Sequence, residues 1–174
     1  MGLERDHQLT FVLGGARSGK SAFAEGLVTA RPGPWHYVAT AQAFDDEMQT
    51  RISEHQRRRG EGWVTHEAGT DIAAVLACLP RGEPVLVDCL TLWLTGVMLA
   101  ERQVVAEAVE ELVGALRVTP GPVVAVSTEV GLGIVPDNAL ARAFRDHAGQ
   151  LHQRVAAVAD RVVLVVAGLP VEVK

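Results

Sequence analysis

Cysteine is nearly missing: Cys78 and Cys89 are the two thiols in 174 residues. They have neither the density of a secreted disulfide scaffold nor the paired spacing of a metal site. A reducing cytoplasm is therefore the expected compartment. Long apolar runs are also missing. The richest, residues 90–100, is too short to cross a bilayer and belongs in a protein core, so no membrane insertion is expected. The first residues, Met1 to Gln8, are polar and hold no signal-peptide apolar segment. Positive charge is in deficit, with 16 Lys and Arg against 21 Asp and Glu, a net −5. Such a chain is no general electrostatic trap for nucleic acid or an anionic membrane. The local run Arg57-Arg58-Arg59 needs its own explanation. There is no internal repeat, low-complexity tract or linker. With 48% apolar residues and a one-domain length, the chain can bury a full core, and a single domain over 1–174 is expected.

What the chain does have is a glycine-rich turn near its start. Leu9-Thr-Phe-Val-Leu-Gly-Gly-Ala-Arg-Ser-Gly-Lys-Ser21 reads as a buried strand, a turn and the first turn of a helix. Gly14, Gly19, Lys20 and Ser21 meet the pattern G-x-x-x-x-G-K-[ST]. Glycines let the backbone curl so that successive N–H groups point at phosphate oxygens, and the helix adds its unpaired N–H groups and positive dipole end. Lys20 can reach the β- and γ-phosphates, and the Ser21 hydroxyl can ligate Mg²⁺. The strand before and the helix-compatible Ser21–Val28 after are the context this motif requires. A nucleoside triphosphate, ATP or GTP, is the expected ligand.

Apolar strand-like runs follow at Trp35–Thr40, Pro84–Asp88, Pro122–Thr128 and Arg161–Ala167, with a short extended piece at Trp63–Glu67. Helices are expected over Asp45–Arg59, Asp71–Leu79, the stretch to about Arg117 with a break near Arg102, and Asn138–Ala159 with Asp137 as N-cap. Leu169–Lys174 reads as an edge strand added by hairpin. Continuous apolar strands alternating with helices imply an α/β fold, a mostly parallel sheet covered on both faces with a possible antiparallel C-terminal edge strand. Ligands of such sheets gather at the carboxyl ends of the strands. Gly14, Thr40, Asp88 and Thr128–Glu129 all fall at such ends.

Asp88 closes its strand where a carboxylate can hold Mg²⁺ opposite Ser21; the alternative is an acid capping the next helix. In the helix expected over 45–59, Met48, Ile52, His55 and Arg59 share one face, with Arg51 and Arg58 beside His55. One reading makes His55 a half-buried helix residue and the arginines a solvated face. The other surrounds a neutral imidazole with guanidinium groups that bind phosphate, leaving a nucleophilic nitrogen free at neutral pH. His7, His36, His66, His147 and His152 read as structural or surface, and Asp146 as an ion-pair or helix-face charge beside Arg145.

Several stretches together resemble one family, the bifunctional adenosylcobinamide kinase/adenosylcobinamide-phosphate guanylyltransferases. They are Gly14–Ser21, Tyr37-Val-Ala-Thr40, Asp45-Asp-Glu-Met48 with Arg51, Ile52 and His55, Trp63 with Glu67, and Val87-Asp-Cys-Leu-Thr91. Glu129-Val-Gly-Leu-Gly-Ile-Val-Pro136, Phe144-Arg-Asp146 with Gly149 and Gln153, and Leu164-Val-Val-Ala-Gly-Leu-Pro170 complete the match. One departure is His152, where the family pattern has Asn. The resemblance implies a phosphate-loop NTPase fold, a homo-oligomer (a trimer) and two reactions. ATP or GTP phosphorylates adenosylcobinamide; GMP then passes from GTP to adenosylcobinamide-phosphate through a covalent GMP–histidine, matched by His55. It also implies nucleotide contacts at Gly14, Gly15, Ala16, Arg17, Ser18, Gly19, Lys20, Ser21, Ala39, Thr40, Ala41, Gln56, Arg57, Arg58, Arg59, Glu67 and Asp88. Lys20 is expected to serve catalysis with His55. Glu67 or Asp88 suits guanine, whose N1–H and N2–H₂ an acid can accept, so Asp88 stands between metal and base. The other readings are a phosphate-loop kinase of another small metabolite, with His55 structural, and a nucleotide-gated switch.

Overall fold

The structure, a computed structural model, describes residues 7–40, 59–100 and 104–174. Runs rich in Val, Leu and Ile form its strands, as β-branched side chains suit a pleated, buried surface. They are β1 (His7–Gly14), β2 (Trp35–Ala39), β3 (Trp63–Glu67), β4 (Val85–Asp88), β5 (Gly121–Thr128), β6 (Arg161–Val166) and β7 (Leu169–Glu172). All belong to one sheet, in the order β3-β2-β4-β5-β1-β6-β7. Every neighbouring pair is parallel except β6 and β7. The expected α/β architecture, antiparallel edge strand included, is the one found.

Five helices are described: α1 (Lys20–Thr29), α2 (Ile72–Cys78), α3 (Leu90–Leu99), α4 (Val105–Val118) and α5 (Ala139–Val158). Strand side chains alternate between faces. Leu9, Phe11, Val85, Val87, Val123 and Ala125 point to one core with buried residues of α2 to α5. Val12, Tyr37, Leu86, Val124 and Val126 point to the other, with Ala24 and Val28 of α1. Register then decides which strand-end residues share the α1 face. Ala39 pairs with Glu67 and Asp88, and Gly14 with Thr128.

The helix starts show which local signals decided. Asp71 caps α2 by accepting from the Ala74 N–H at 3.2 Å. At α5 the expectation of Asp137 as cap is corrected. Asn138 is the cap, its side chain accepting from the Ala141 N–H at 2.7 Å. Both residues are good caps, and only Asn138 is placed to reach the third N–H of the helix. The Asp137 and Pro136 carbonyls instead accept from Arg142 Nη1.

Asn138→Ala is expected to lower the unfolding free energy by about 1 kcal/mol, and Asp137→Ala to change it by less than about 0.5 kcal/mol. Urea unfolding of the two variants checks the assignment; a larger loss at Asp137 would reverse it.

Candidate functional site

The parallel strands bring their carboxyl ends to one edge, and the loop from Gly14 to Gly19 crosses it into α1. Arg17 and Gly19 both adopt positive φ, 55° and 91°, which curls the backbone before the helix begins. Gly14 is required for space. A Cβ there would lie 2.4 Å from Ser18 Oγ and 2.8 Å from the Val165 carbonyl oxygen. The loop is tied down on both sides: the Glu129 N–H donates to the Gly14 carbonyl at 2.9 Å, and the Gly168 N–H to the Ser18 carbonyl at 2.7 Å. Lys20 Nζ donates to the Gly15 carbonyl at 3.0 Å, so its ammonium lies over the loop. Ser18 Oγ is buried with no hydrogen-bond partner among the described residues. A buried, unpartnered hydroxyl is costly unless a ligand oxygen meets it. The cradle fits a phosphate.

Around it stand the ends of β2, β3, β4 and β5. Thr40 is buried and laces two of them. Its hydroxyl donates to the Cys89 carbonyl at 2.7 Å and accepts the Cys89 N–H at 2.9 Å. Thr91 Oγ1 continues the chain, 3.0 Å from Cys89 Sγ and accepting the Thr128 N–H at 3.3 Å. The Cys89 thiol is pushed up by burial and by Asp88, with Lys20 pulling the other way. Lys20 and Asp88 therefore share the neighbourhood of one buried thiol, which stays neutral. Asp88 is buried at the end of β4, and Cys89 rather than Asp88 occupies the N-cap of α3. Ser21 and Asp88 are hard oxygen donors, and among the described residues no group of three or more His, Cys, Asp or Glu could hold a metal alone. That donor set suits Mg²⁺, which takes one or two protein oxygens and fills its shell with phosphate and water.

Two further contacts were not signalled by the sequence. Arg59 lies over the Tyr37 ring, with Cζ 3.3 Å from the centroid. On the opposite face, Ser127 Oγ is 2.8 Å from His152 Nε2, and His152 Nδ1 is 3.8 Å from Glu129 Oε2. With the proton on Nδ1, toward the carboxylate, Nε2 would accept the Ser127 O–H. Burial holds the His152 imidazole below its ordinary 6.5, against the pull of Glu129. Arg145 pairs with Asp146 at 3.2 Å, as expected. His36, read as structural, is buried between His66 and Glu83.

Of the expected nucleotide contacts, Gly14–Ser21, Ala39, Thr40, Arg59, Glu67 and Asp88 are described, and all lie in the loop, in the first turn of α1, at strand ends or just before β3. Ala41, His55, Gln56, Arg57 and Arg58 lie outside the described residues, as does the helix expected over 45–59 except for Arg59. No helix among the described residues is long and apolar enough to cross a membrane.

A strand, a glycine-rich loop curled under a lysine, and a helix, set in a parallel sheet with an acid at a nearby strand end, define a phosphate-loop protein. Comparison narrows the class. Residues 10–173 match the family model described as cobinamide kinase / cobinamide phosphate guanyltransferase. The chain belongs to that family of bifunctional enzymes. It is 46% identical over 172 residues to a bifunctional adenosylcobalamin biosynthesis protein of Pseudomonas aeruginosa, covering 94% of this chain and 95% of that one. It is 39% identical over 181 residues to a protein of the same description from Salmonella typhimurium, covering 95% and 99%. A solved structure from Pyrococcus horikoshii OT3 shares the fold at a TM-score of 0.52 and 10% identity, covering 96% of this chain and 86% of its own.

Two outcomes are expected. Gly14→Ala forces the Cβ against the Val165 carbonyl, an overpacking of about 1–3 kcal/mol, and lowers nucleotide affinity at least about tenfold by calorimetry. Stability also falls on acidification. The unfolded chain takes a proton that folded His152 refuses, so stability is lost as pH drops below 6.5. Thermal midpoints toward about pH 5 should fall less steeply in His152→Asn than in wild type; an equal slope would exclude His152 as a source.

Proposed function

We propose that this protein phosphorylates adenosylcobinamide with ATP or GTP. It then moves GMP from GTP onto adenosylcobinamide-phosphate, forming adenosylcobinamide-GDP and pyrophosphate. The observation that carries the reading is the cradle of residues 14–21, with Lys20 over it and the Ser18 hydroxyl unpartnered among the described residues, in a chain that matches this family over residues 10–173.

In the first reaction the loop N–H groups and Lys20 hold the β- and γ-phosphates and stabilise charge as the substrate hydroxyl oxygen attacks the γ-phosphorus; the bond from that phosphorus to the β–γ bridging oxygen breaks, ADP or GDP leaves, and the hydroxyl proton passes to solvent. Ser21 and Asp88 are the residues that would hold Mg²⁺, which neutralises phosphate charge when bound. In the second, a nitrogen of His55 attacks the α-phosphorus of GTP. An N–P bond forms as the bond to pyrophosphate oxygen breaks. A phosphate oxygen of adenosylcobinamide-phosphate then attacks the same phosphorus, and the N–P bond breaks. The phosphate loop and Lys20 stabilise the leaving pyrophosphate, where bound Mg²⁺ would add its charge. Glu67, at the end of β3, is assigned to guanine N1–H and N2–H₂, with Asp88 as the other candidate acid. A homotrimer and a cytoplasmic setting are part of the same proposal, on family resemblance and cysteine scarcity respectively.

Intact-protein mass spectrometry after incubation with GTP and Mg²⁺ is the test. Wild type is expected to gain one acid-labile GMP and His55→Ala none. Wild type without an adduct, still phosphorylating adenosylcobinamide, would leave a simple kinase and remove His55 from the mechanism. Lys20→Ala should slow phosphoryl transfer by about a hundredfold or more.

A further inference from the structure

The contact between Arg59 and Tyr37 is built more firmly than a surface stacking pair. Tyr37 is 7% exposed, in the middle of β2 on the α1 face. Its ring meets Trp63 edge-on at 6.3 Å, and Trp63 meets Trp35 tilted at 5.8 Å. Trp35 is itself fixed: its backbone N–H donates to the Gly62 carbonyl at 3.0 Å and its indole N–H to the Arg31 carbonyl at 2.8 Å. The three rings thus form a wall between β2 and β3 that carries Arg59 on its surface.

A ring satisfies the face of a guanidinium but not its N–H edge. Arg59 Nη1 is buried and has no hydrogen-bond partner among the described residues. The same phenol feels both the Arg59 charge and the Asp88 carboxylate, so the guanidinium is within electrostatic reach of the strand-end acid. A fixed cation with an unmet, water-shielded donor, on the face that carries α1 and the loop, calls for an anionic oxygen. Stacking also limits the rotamers of a long side chain, so less freedom is lost when the anion arrives.

We propose that Tyr37 is a positioning residue for nucleotide binding: its ring holds Arg59 so that the free Nη1 edge donates to a phosphate oxygen of the nucleoside triphosphate. This rests on the reading that residues 14–21 cradle that nucleotide. The aromatic face carries the guanidinium, and the phenol oxygen adds a hydrogen bond to it.

Titration calorimetry with GTP–Mg²⁺ and with pyrophosphate decides the matter, on wild type, Tyr37→Phe, Tyr37→Leu, Arg59→Gln and the double variant Tyr37→Leu/Arg59→Gln. Tyr37→Leu and Arg59→Gln are each expected to weaken both ligands about tenfold. The double variant should lose no more than either single, because both remove one interaction. Tyr37→Phe, which keeps the ring and loses the phenol hydrogen bond, should lose clearly less affinity than Tyr37→Leu. Additive losses, a Tyr37→Phe defect equal to that of Tyr37→Leu, or a folded Tyr37→Leu with wild-type affinity would overturn the proposal. Should Tyr37→Leu fail to fold, Arg59→Gln still decides, since unchanged pyrophosphate affinity there refutes a phosphate contact. Failure of the underlying reading looks different: wild type would bind neither ligand, or Lys20→Ala would bind both as well as wild type.

Discussion

Everything at the phosphate edge depends on how closely backbone approaches backbone at Gly14. Three segments meet there: the loop itself, the end of β5 through the Glu129 N–H, and β6 through the Val165 carbonyl. A single methyl group would stand 2.8 Å from that carbonyl, inside any real contact distance. The loop keeps its curl because the strands on both sides of β1 grip it, and they can grip it because nothing projects between them. The Gly168–Ser18 hydrogen bond adds a clamp from the β6–β7 turn. Local sequence thus makes the loop possible, and tertiary packing makes it rigid.

The sheet divides its labour by alternation. Along β4, Val87 faces the large core under α2 to α5, whereas Leu86 and, by alternation, Asp88 face the α1 side. Along β5, Ser127 meets His152 beneath α5, while Thr128 lies beside Gly14. The chemistry gathers on the side with α1, and the other side supplies mass. His152 belongs to the supporting side: it satisfies a fully buried hydroxyl and places an imidazole beside Glu129, whose backbone anchors the loop.

Much of this was legible in the chain. The loop could be read because its signal is local, with glycines, lysine and hydroxyl at fixed offsets between a strand and a helix. The strand-end positions of Thr40, Asp88 and Thr128 were legible because apolar runs stop there, and the antiparallel β7 because Leu169-Pro170 follows a turn. What was not legible is what depends on contacts between distant segments. Tyr37 read only as part of a strand, since stacking with Arg59 leaves no spacing pattern. His152 stood out as a departure from the family, yet nothing near it in sequence names Ser127 as its partner. Asp137 and Asn138 are adjacent residues of similar capping strength, and only the geometry of the first turn separates them.

The strand order carries a consequence for how the protein is made. β1 is made before both of its sheet neighbours, β5 and β6, which lie far downstream of it. Until those strands are synthesised, the nascent glycine loop lacks the Glu129, Val165 and Gly168 backbone groups that hold its shape. The loop is thus completed only after strands far downstream of it, and long-range parallel pairing of this kind is intrinsically slow to form. Until β5 and β6 are made, a growing chain carries the nucleotide-binding motif without the backbone partners that shape it.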